Sequence, residues 1–236
     1  MGGKSHVDHA WRLIYAFAVL APVMALALVM TALPAQANST GANVHDYTGG
    51  AGNGARASMY GGAALGGSNA FILSSVRVED QSCCGLYQAG WWLQNSGIST
   101  DCKASASYSG VFVERHVAGT SGMYKCNTYP GIGNYGDDYK FTIEHQGSGW
   151  EAIRASGGVL DGPYDLSFPG GTVWAVSEKA NTINSATMHF GPSGETDWQH
   201  YDSSTDTWST INTASKVNTD GAWTIGGAPT PFDITR

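Results

Sequence analysis

The chain has 236 residues, of which 13% are charged, with 32 glycines, 8 tryptophans and 11 tyrosines. This composition excludes a helical bundle, which needs more charged helix formers, and a disordered chain, which has fewer aromatic residues. The net charge of −7 excludes a basic surface for nucleic acid, so no nucleic-acid partner is expected. The length suits one domain of ordinary size.

Residues 1–37 have the order of an export signal. Lys4 and Arg12 mark a charged end, an apolar run extends over residues 13–33, and Ala35-Gln36-Ala37 matches a small-residue cleavage site. A cleaved signal helix is the favoured interpretation. An uncleaved membrane anchor is the alternative, because about 20 apolar residues can span a bilayer. Either way the rest of the chain lies outside the cytoplasm, and after signal removal we expect a secreted protein without a membrane partner.

The four cysteines are Cys83, Cys84, Cys102 and Cys126. An oxidising compartment makes them disulfide candidates. Adjacent residues of an extended chain point to opposite faces, so Cys83 and Cys84 are expected to bond to different partners. One would pair with Cys102 and the other with Cys126, in an order that the spacing leaves open. A zinc site is disfavoured because no Cys-x-x-Cys pair is present, and no metal or other cofactor is expected.

Residues 38–70 are polar and rich in glycine, as in the run from Gly49 to Gly54. This composition is typical of a loose leader, and one edge strand is expected within it at residues 56–60. The sandwich domain is therefore expected to span residues 71–236.

Short segments of alternating or aromatic residues follow from residue 71 to the end of the chain, separated by turn signals and without helical periodicity. Strands are predicted at residues 71–78, 86–93, 108–115, 139–144, 150–154, 164–168, 172–178, 185–190, 198–201, 207–211 and 222–225. Residues 124–136 are predicted to form a loop. Gly147-Ser148-Gly149 and Asp220-Gly221 predict hairpins. The pattern predicts an all-β, antiparallel β-sandwich or jelly roll of the concanavalin type, after the N-terminal signal helix.

Two common hydrolase motifs are missing from the sequence. It contains neither a Gly-x-Ser-x-Gly nucleophile elbow nor a His-Glu-x-x-His zinc helix. A carboxylate that activates water and an amide that stabilises the oxyanion are the remaining means of hydrolysis. Gln88, inside the apolar strand 86–93, is the candidate amide. Because a buried amide needs hydrogen-bond partners, Gln88 lies either in the floor of a groove or in a structural network.

Glu114, Glu144 and Glu178 are the candidate acids on predicted strands. Glu144 alternates onto a side that is expected to face solvent. Glu114 precedes two basic residues, so a surface ion pair is its alternative role. Glu178 shares parity with Trp174, and an apolar neighbour favours a carboxyl that acts as general acid or base. The alternative for Glu178 is a strand-end residue paired with Lys179.

The order of these motifs resembles the secreted glutamic peptidases of the eqolisin and neprosin families. Tyr87-Gln88-Ala89-Gly90-Trp91 is similar to the Ile-Gln-Ala-Gly-Trp strand of neprosins. It is also similar to the Leu-Gln-Thr-Gly strand of eqolisins, whose Gln is catalytic. Later matches follow in the same order, and they are Tyr108 to Glu114, Gly136-Asp137, Trp150 and Trp174 to Glu178.

The resemblance implies a β-sandwich endopeptidase in which Gln88 stabilises the oxyanion, Glu178 activates water and Glu114 is a second acid in the groove. Two positions depart from the families. Val173 stands where the catalytic Glu of eqolisins precedes a Trp. No acidic residue lies between Asp46 and Glu79, where neprosins have a second Glu.

An extracellular polypeptide or glycan is the expected partner. Trp91, Trp92 and Trp174 are the predicted substrate-binding residues. The rival hypothesis is a catalytically inactive, lectin-like module that stacks Trp91, Trp92 and Trp150 on the sugar rings of a glycan or cell-wall polymer. A surface or matrix protein without a small ligand is the third hypothesis.

Overall fold

In the computed structural model, the described residues are 39–45, 52–68, 70–80, 85–95, 107–119, 125–180, 183–191, 197–219, 221–227 and 231–236. They form two antiparallel sheets and, within these ranges, no helix. The predicted antiparallel sandwich is confirmed. The predicted signal lies outside these ranges. Within them, no helical segment has the length and hydropathy that crossing a membrane requires.

The strands of the described residues are short and follow one another closely along the chain. In chain order they are β1 (Ser39–His45), β2 (Gly54–Leu65), β3 (Phe71–Glu79), β4 (Leu86–Gln94), β5 (Tyr108–His116), β6 (Lys125–Tyr129), β7 (Tyr139–Gln146), β8 (Gly149–Ile153), β9 (Val159–Tyr164), β10 (Thr172–Ala180), β11 (Ile183–Phe190), β12 (Gln199–Asp202), β13 (Thr207–Thr210), β14 (Ser215–Asn218), β15 (Thr224–Gly227) and β16 (Phe232–Thr235).

One sheet has seven strands, in the order β14-β1-β10-β3-β4-β5-β6. The second sheet, called here the nine-stranded sheet, has the order β15-β16-β11-β2-β7-β8-β9, with β12 paired to β2 and β13 to β12. The hairpin β7–β8 forms at the predicted turn. The core lies between the sheets. The indole of Trp91 on β4 packs edge-on against Phe141 of β7, with ring centroids 5.1 Å apart. Each large side chain buried in this way contributes about 1.5–3 kcal/mol.

The glycine-rich segment before residue 70 is a structural part of the sandwich, and the prediction of a loose leader with an edge strand is wrong for β2. β2 pairs with β7 on one side and with β11 and β12 on the other. Ala55, Ala57 and Met59 are fully buried in the core. A Cβ at Gly54 would lie 2.6 Å from the backbone oxygen of Ile143, so glycine permits the close approach of β7. Small residues are needed where neighbouring strands approach closely. Because the same residues are typical of flexible linkers, the composition did not predict a central strand here.

Other segments also differ from the prediction. The predicted loop at 124–136 contains the edge strand β6, and the strand predicted at 164–168 lies earlier, at β9. β14 pairs with β1 whereas β15 pairs with β16, so these two strands belong to different sheets. The hairpin predicted at Asp220-Gly221 is therefore wrong, since local turn chemistry did not decide which sheet each strand joins.

A polar cluster joins the edge strands β6 and β9 across the sandwich. Asp161 of β9 is buried and accepts hydrogen bonds from Asn127 of β6 at 3.2 Å and from the Tyr164 hydroxyl at 2.7 Å. Arg115 of β5 lies 3.5 Å from the same carboxylate and stacks on the Tyr164 ring at 3.8 Å. Arg115 therefore points to the core side of its strand and away from its neighbour Glu114. Because the buried carboxylate has several donors, the cluster stabilises the edge of the sandwich.

Cys126 lies on β6, opposite Glu114 of β5 in the strand register. Cys83, Cys84 and Cys102 lie outside the described residues. The pairing of the four cysteines therefore stays a prediction.

Candidate active site

The candidate residues lie on the face of the seven-stranded sheet that points away from the core. On β4, Tyr87, Ala89 and Trp91 fill the core, so strand alternation directs Gln88 to the opposite face. The register places Gln88 between Arg77 of β3 and Glu114 of β5. We call this surface the outer face of the seven-stranded sheet.

Gln88 is held in one orientation by three side chains. Its Oε1 accepts hydrogen bonds from Ser75 Oγ at 2.7 Å and from Arg77 Nε at 3.0 Å. Its Nε2 donates to Glu114 Oε2 at 2.5 Å. An arginine can only donate, so the atom that faces Arg77 must be the oxygen, and the NH₂ group must face Glu114. The side chain is 1% exposed, and these bonds compensate for its desolvation.

Arg77 connects Gln88 to the second candidate acid. Its Nη2 lies 2.6 Å from Glu178 Oε1, and its Nη1 lies 3.9 Å from Glu79 Oε2. Burial alone would lower the pKa of Arg77, but the charges of Glu178, Glu79 and Glu114 outweigh burial and raise the pKa above its ordinary value. The guanidinium therefore stays charged, and one buried cation faces three carboxylates.

The structure brings together all three of the predicted catalytic residues, but not in the predicted arrangement. Gln88 contacts Glu114 directly and reaches Glu178 only through Arg77. Both glutamates are partly exposed, with 21% of the Glu178 side chain accessible. Solvent therefore reaches the carboxylates, whereas the amide lies beneath them.

Sequence reasoning missed Arg77 and Ser75. Both lie at odd positions of β3, a strand that is buried along most of its length. A charged side chain is almost never fully buried without a partner. The signal was present in the strand Phe71–Glu79, but it pointed to a buried polar network without identifying Gln88 as the partner.

The predicted substrate-binding tryptophans lie in three environments. Trp91 is fully buried in the core between the sheets, as is Trp150, so neither ring offers a surface to a ligand and the predicted binding role does not fit. Trp92 lies on the outer face, stacked on Phe71 with centroids 4.9 Å apart, and is 4% exposed. Trp174 of β10 lies opposite Arg77 in the register and is partly buried. Of the three predicted residues, Trp174 alone is both next to Arg77 and accessible.

Across the described residues, no group of three or more His, Cys, Asp or Glu side chains is placed to hold a metal ion. The site consists of amide, guanidinium, hydroxyl and carboxylate groups, which supply hydrogen bonds and proton transfer.

No protein-family model matches the chain, and no curated protein is similar to it in sequence. Among solved structures, it is similar to scytalido-glutamic peptidase with a peptide-based transition-state analogue, at a TM-score of 0.48 and 11% identity over 85% of this chain and 97% of that one. It is also similar to SCP-B, a member of the eqolisin family in complex with the tripeptide Ala-Ile-His, with the same TM-score, identity and coverage.

Proposed function

We propose that the chain is a secreted hydrolase of the glutamic-peptidase type that cleaves polypeptides at the outer face of the seven-stranded sheet. The observation that carries the proposal is the hydrogen bond from Gln88 Nε2 to Glu114 Oε2, at 2.5 Å, on the same face as Glu178. An oriented amide beside a partly exposed carboxylate provides the two groups that water-mediated amide hydrolysis needs.

The geometry favours Glu114 over Glu178 as the general base. Glu114 would take a proton from the water that attacks the peptide carbonyl, and would then give that proton to the leaving amine. A primary amide has two N–H groups. One N–H of Gln88 holds Glu114, and the second, which lies beneath the carboxylates here, would donate to the oxyanion on the carbonyl once substrate binding exposes it. Glu178 would act as the counter-charge of Arg77.

Secretion, signal cleavage and disulfide bonding are parts of the same proposal. They rest on the sequence of residues 1–37 and on the four cysteines. The similarity of Tyr87-Gln88-Ala89-Gly90-Trp91 to the glutamic-peptidase strand supports the choice of a peptide as the substrate.

The first test is cleavage of an unfolded protein by the purified chain at about pH 3 to 8, where carboxylates titrate. Gln88→Ala and Glu114→Gln are each expected to lower the rate by about 10²-fold or more. Glu178→Gln separates the two assignments, because a counter-charge should matter less than the base. A loss with Glu178→Gln that exceeds the loss with Glu114→Gln would return the base to Glu178.

Gln94→Ala is the matched control for Gln88→Ala. Gln94 is also a buried amide of β4 on the outer face, and its Oε1 accepts a hydrogen bond from Trp92 Nε1 at 2.9 Å instead of joining the Arg77 network. Gln94→Ala should retain wild-type cleavage. If the folded wild-type chain cleaves no polypeptide at any pH, or if both glutamine variants lose activity equally, the proposal is wrong.

A further inference from the structure

We infer that Arg77 is a positioning residue of this site, which fixes the amide of Gln88 so that its NH₂ group faces Glu114 in every protonation state of the carboxylates. The inference rests on the proposed function for its catalytic consequence. Its structural content, the orientation of one side-chain amide, can be measured without any substrate.

One planar guanidinium holds two residues of the site at once. Arg77 Nε donates to Gln88 at 3.0 Å and Nη2 donates to Glu178 at 2.6 Å. Because the donors of a guanidinium have a fixed geometry, the ion pair with Glu178 on β10 also aims Nε at Gln88 on β4. Arg77 is 8% exposed, so water has little access with which to compete for these bonds.

Arg77 differs chemically from the other two side chains that contact Gln88. The Ser75 hydroxyl can donate or accept, so it would satisfy either orientation of the amide. A glutamate carboxylate only accepts, but it becomes a donor when it is protonated. Arg77 only donates at any pH at which the protein is folded. At acidic pH, where Glu114 gains a proton, Arg77 is therefore the contact that still requires the oxygen of Gln88 to face β3.

The charged and titratable groups around the amide come from every neighbouring strand. Glu79 lies on β3 with Arg77, Glu114 and His116 lie on β5, and Glu178 lies on β10. Cys126 of β6 lies opposite Glu114. Among the described side chains that contact Gln88, the guanidinium is the one positive charge, and it is the group that offsets the acidic surroundings of the amide.

The test uses the full chain with Arg77→Lys and Arg77→Met. Lysine keeps the charge but has one ammonium group, which cannot reach Gln88 and Glu178 in the same geometry. Methionine removes both donors. Arg56→Lys is the matched control, because Arg56 Nε donates to Gln199 Oε1 at 2.6 Å on the nine-stranded sheet. The readouts are the side-chain amide NMR signals of Gln88, assigned by their loss in Gln88→Glu, and kcat and KM at about pH 3 to 8.

In the wild type and in Arg56→Lys, the Gln88 amide signals should stay sharp and slow to exchange across this pH range. In both Arg77 variants they should broaden and exchange faster as the pH falls. Their kcat should fall by about tenfold or more at the acidic end and less at neutral pH, with KM changed by about threefold or less. A loss of rate that is equal at all pH values would indicate a structural role and would overturn the inference.

Unchanged Gln88 signals in both Arg77 variants would also overturn it, whatever the activity. If the wild type cleaves nothing, the proposed function fails, and the amide signals still decide whether Arg77 fixes Gln88. If Arg77→Met does not fold, Arg77→Lys carries the same decision, because it preserves the charge in the network.

Discussion

Each sheet carries an Arg–Gln pair on its outer face, and the two pairs differ in what surrounds them. Arg77 of β3 lies opposite Gln88 of β4, and Arg56 of β2 lies opposite Gln199 of β12. In both pairs the arginine Nε donates to the amide oxygen, at 3.0 Å and 2.6 Å. The local chemistry of the two pairs is therefore the same.

The remaining contacts separate the pairs. Arg77 is buried and its Nη2 bonds to Glu178, while Gln88 donates onward to Glu114. Arg56 instead stacks over the ring of Trp208 at 4.2 Å. Burial lowers the pKa of Arg56, in contrast to the raised pKa of Arg77. The Arg77–Gln88 pair forms a candidate site because a carboxylate bonds to each of its members. The Arg56–Gln199 pair is a surface contact in which the arginine lies over the ring of Trp208.

The largest difference should appear when each arginine is replaced by methionine. Arg77→Met leaves Glu178 without its cation and removes one of the two donors to Gln88 Oε1, the other being Ser75 Oγ. We therefore expect it to lower the free energy of unfolding by about 2–3 kcal/mol. Arg56→Met should cost about 1 kcal/mol or less, because its partners are more exposed. Urea unfolding at neutral pH measures both values. Equal losses for the two variants would show that burial of the network adds nothing.

The glutamines provide the second comparison. Gln88→Ala removes a partner from Ser75, Arg77 and Glu114 at once, with an expected cost of about 2 kcal/mol. Gln199 is partly exposed, so Gln199→Ala should cost about 0.5 kcal/mol. Thermal unfolding of the two variants, measured beside Gln94→Ala, separates loss of the network from loss of any buried amide of β4. The ranking would be contradicted if Gln199→Ala were the more damaging change.

The sandwich was predictable because strand alternation and turn signals are local. The strands around Gln88 were located within a few residues, since Val111 and Val113 face the core whereas Phe112 and Glu114 lie on the outer face. The strand β2 was predicted as part of a loose leader because its glycine and alanine residues are typical of linkers. These small residues are required by the close approach of β7, which is distant in sequence. Which sheet β14 and β15 join was likewise not encoded in the turn between them.

The sequence identified the three predicted catalytic residues of the candidate site, but it did not identify the supporting residues Ser75 and Arg77 or the contacts between them. Gln88, Glu114 and Glu178 stood out as polar residues on apolar strands. Which glutamate contacts the amide depends on strand order, because β5 lies beside β4 whereas β10 is separated from β4 by β3. Arg77 occupies that intervening strand, and only the register reveals that it lies between Gln88 and Glu178.

A double-mutant cycle tests whether the Trp208 ring stabilises the guanidinium of Arg56. The guanidinium lies over Trp208, and such an interaction contributes about 0.5–1 kcal/mol at exposed sites. Trp208→Ala should therefore cost less in the Arg56→Met background than in the wild type, by about that amount. Trp208 also packs against Tyr201, with centroids 5.1 Å apart, and this part of the loss should persist in both backgrounds. If the losses of unfolding free energy from Trp208→Ala and Arg56→Met are additive, the ring does not stabilise Arg56 and cannot explain the difference between the two pairs.

The smallest effect should come from Glu144, the carboxylate beside Arg56. Burial raises the pKa of Glu144, the charge of Glu151 raises it further, and the charge of Arg56 only partly opposes them. A carboxyl whose pKa is higher in the folded state stabilises the fold at low pH, and that stabilisation is lost as the pH rises through the folded pKa.

Glu144→Gln should therefore stabilise the chain at neutral pH by a few tenths of a kcal/mol, about 0.3–0.5 after solvent screening. It should give no gain at a pH low enough to protonate both states. Unfolding curves at neutral and acidic pH measure the difference. Glu151→Gln removes the same repulsion and should act in the same direction. A gain of equal size at both pH values would show that packing, and not charge, limits this surface.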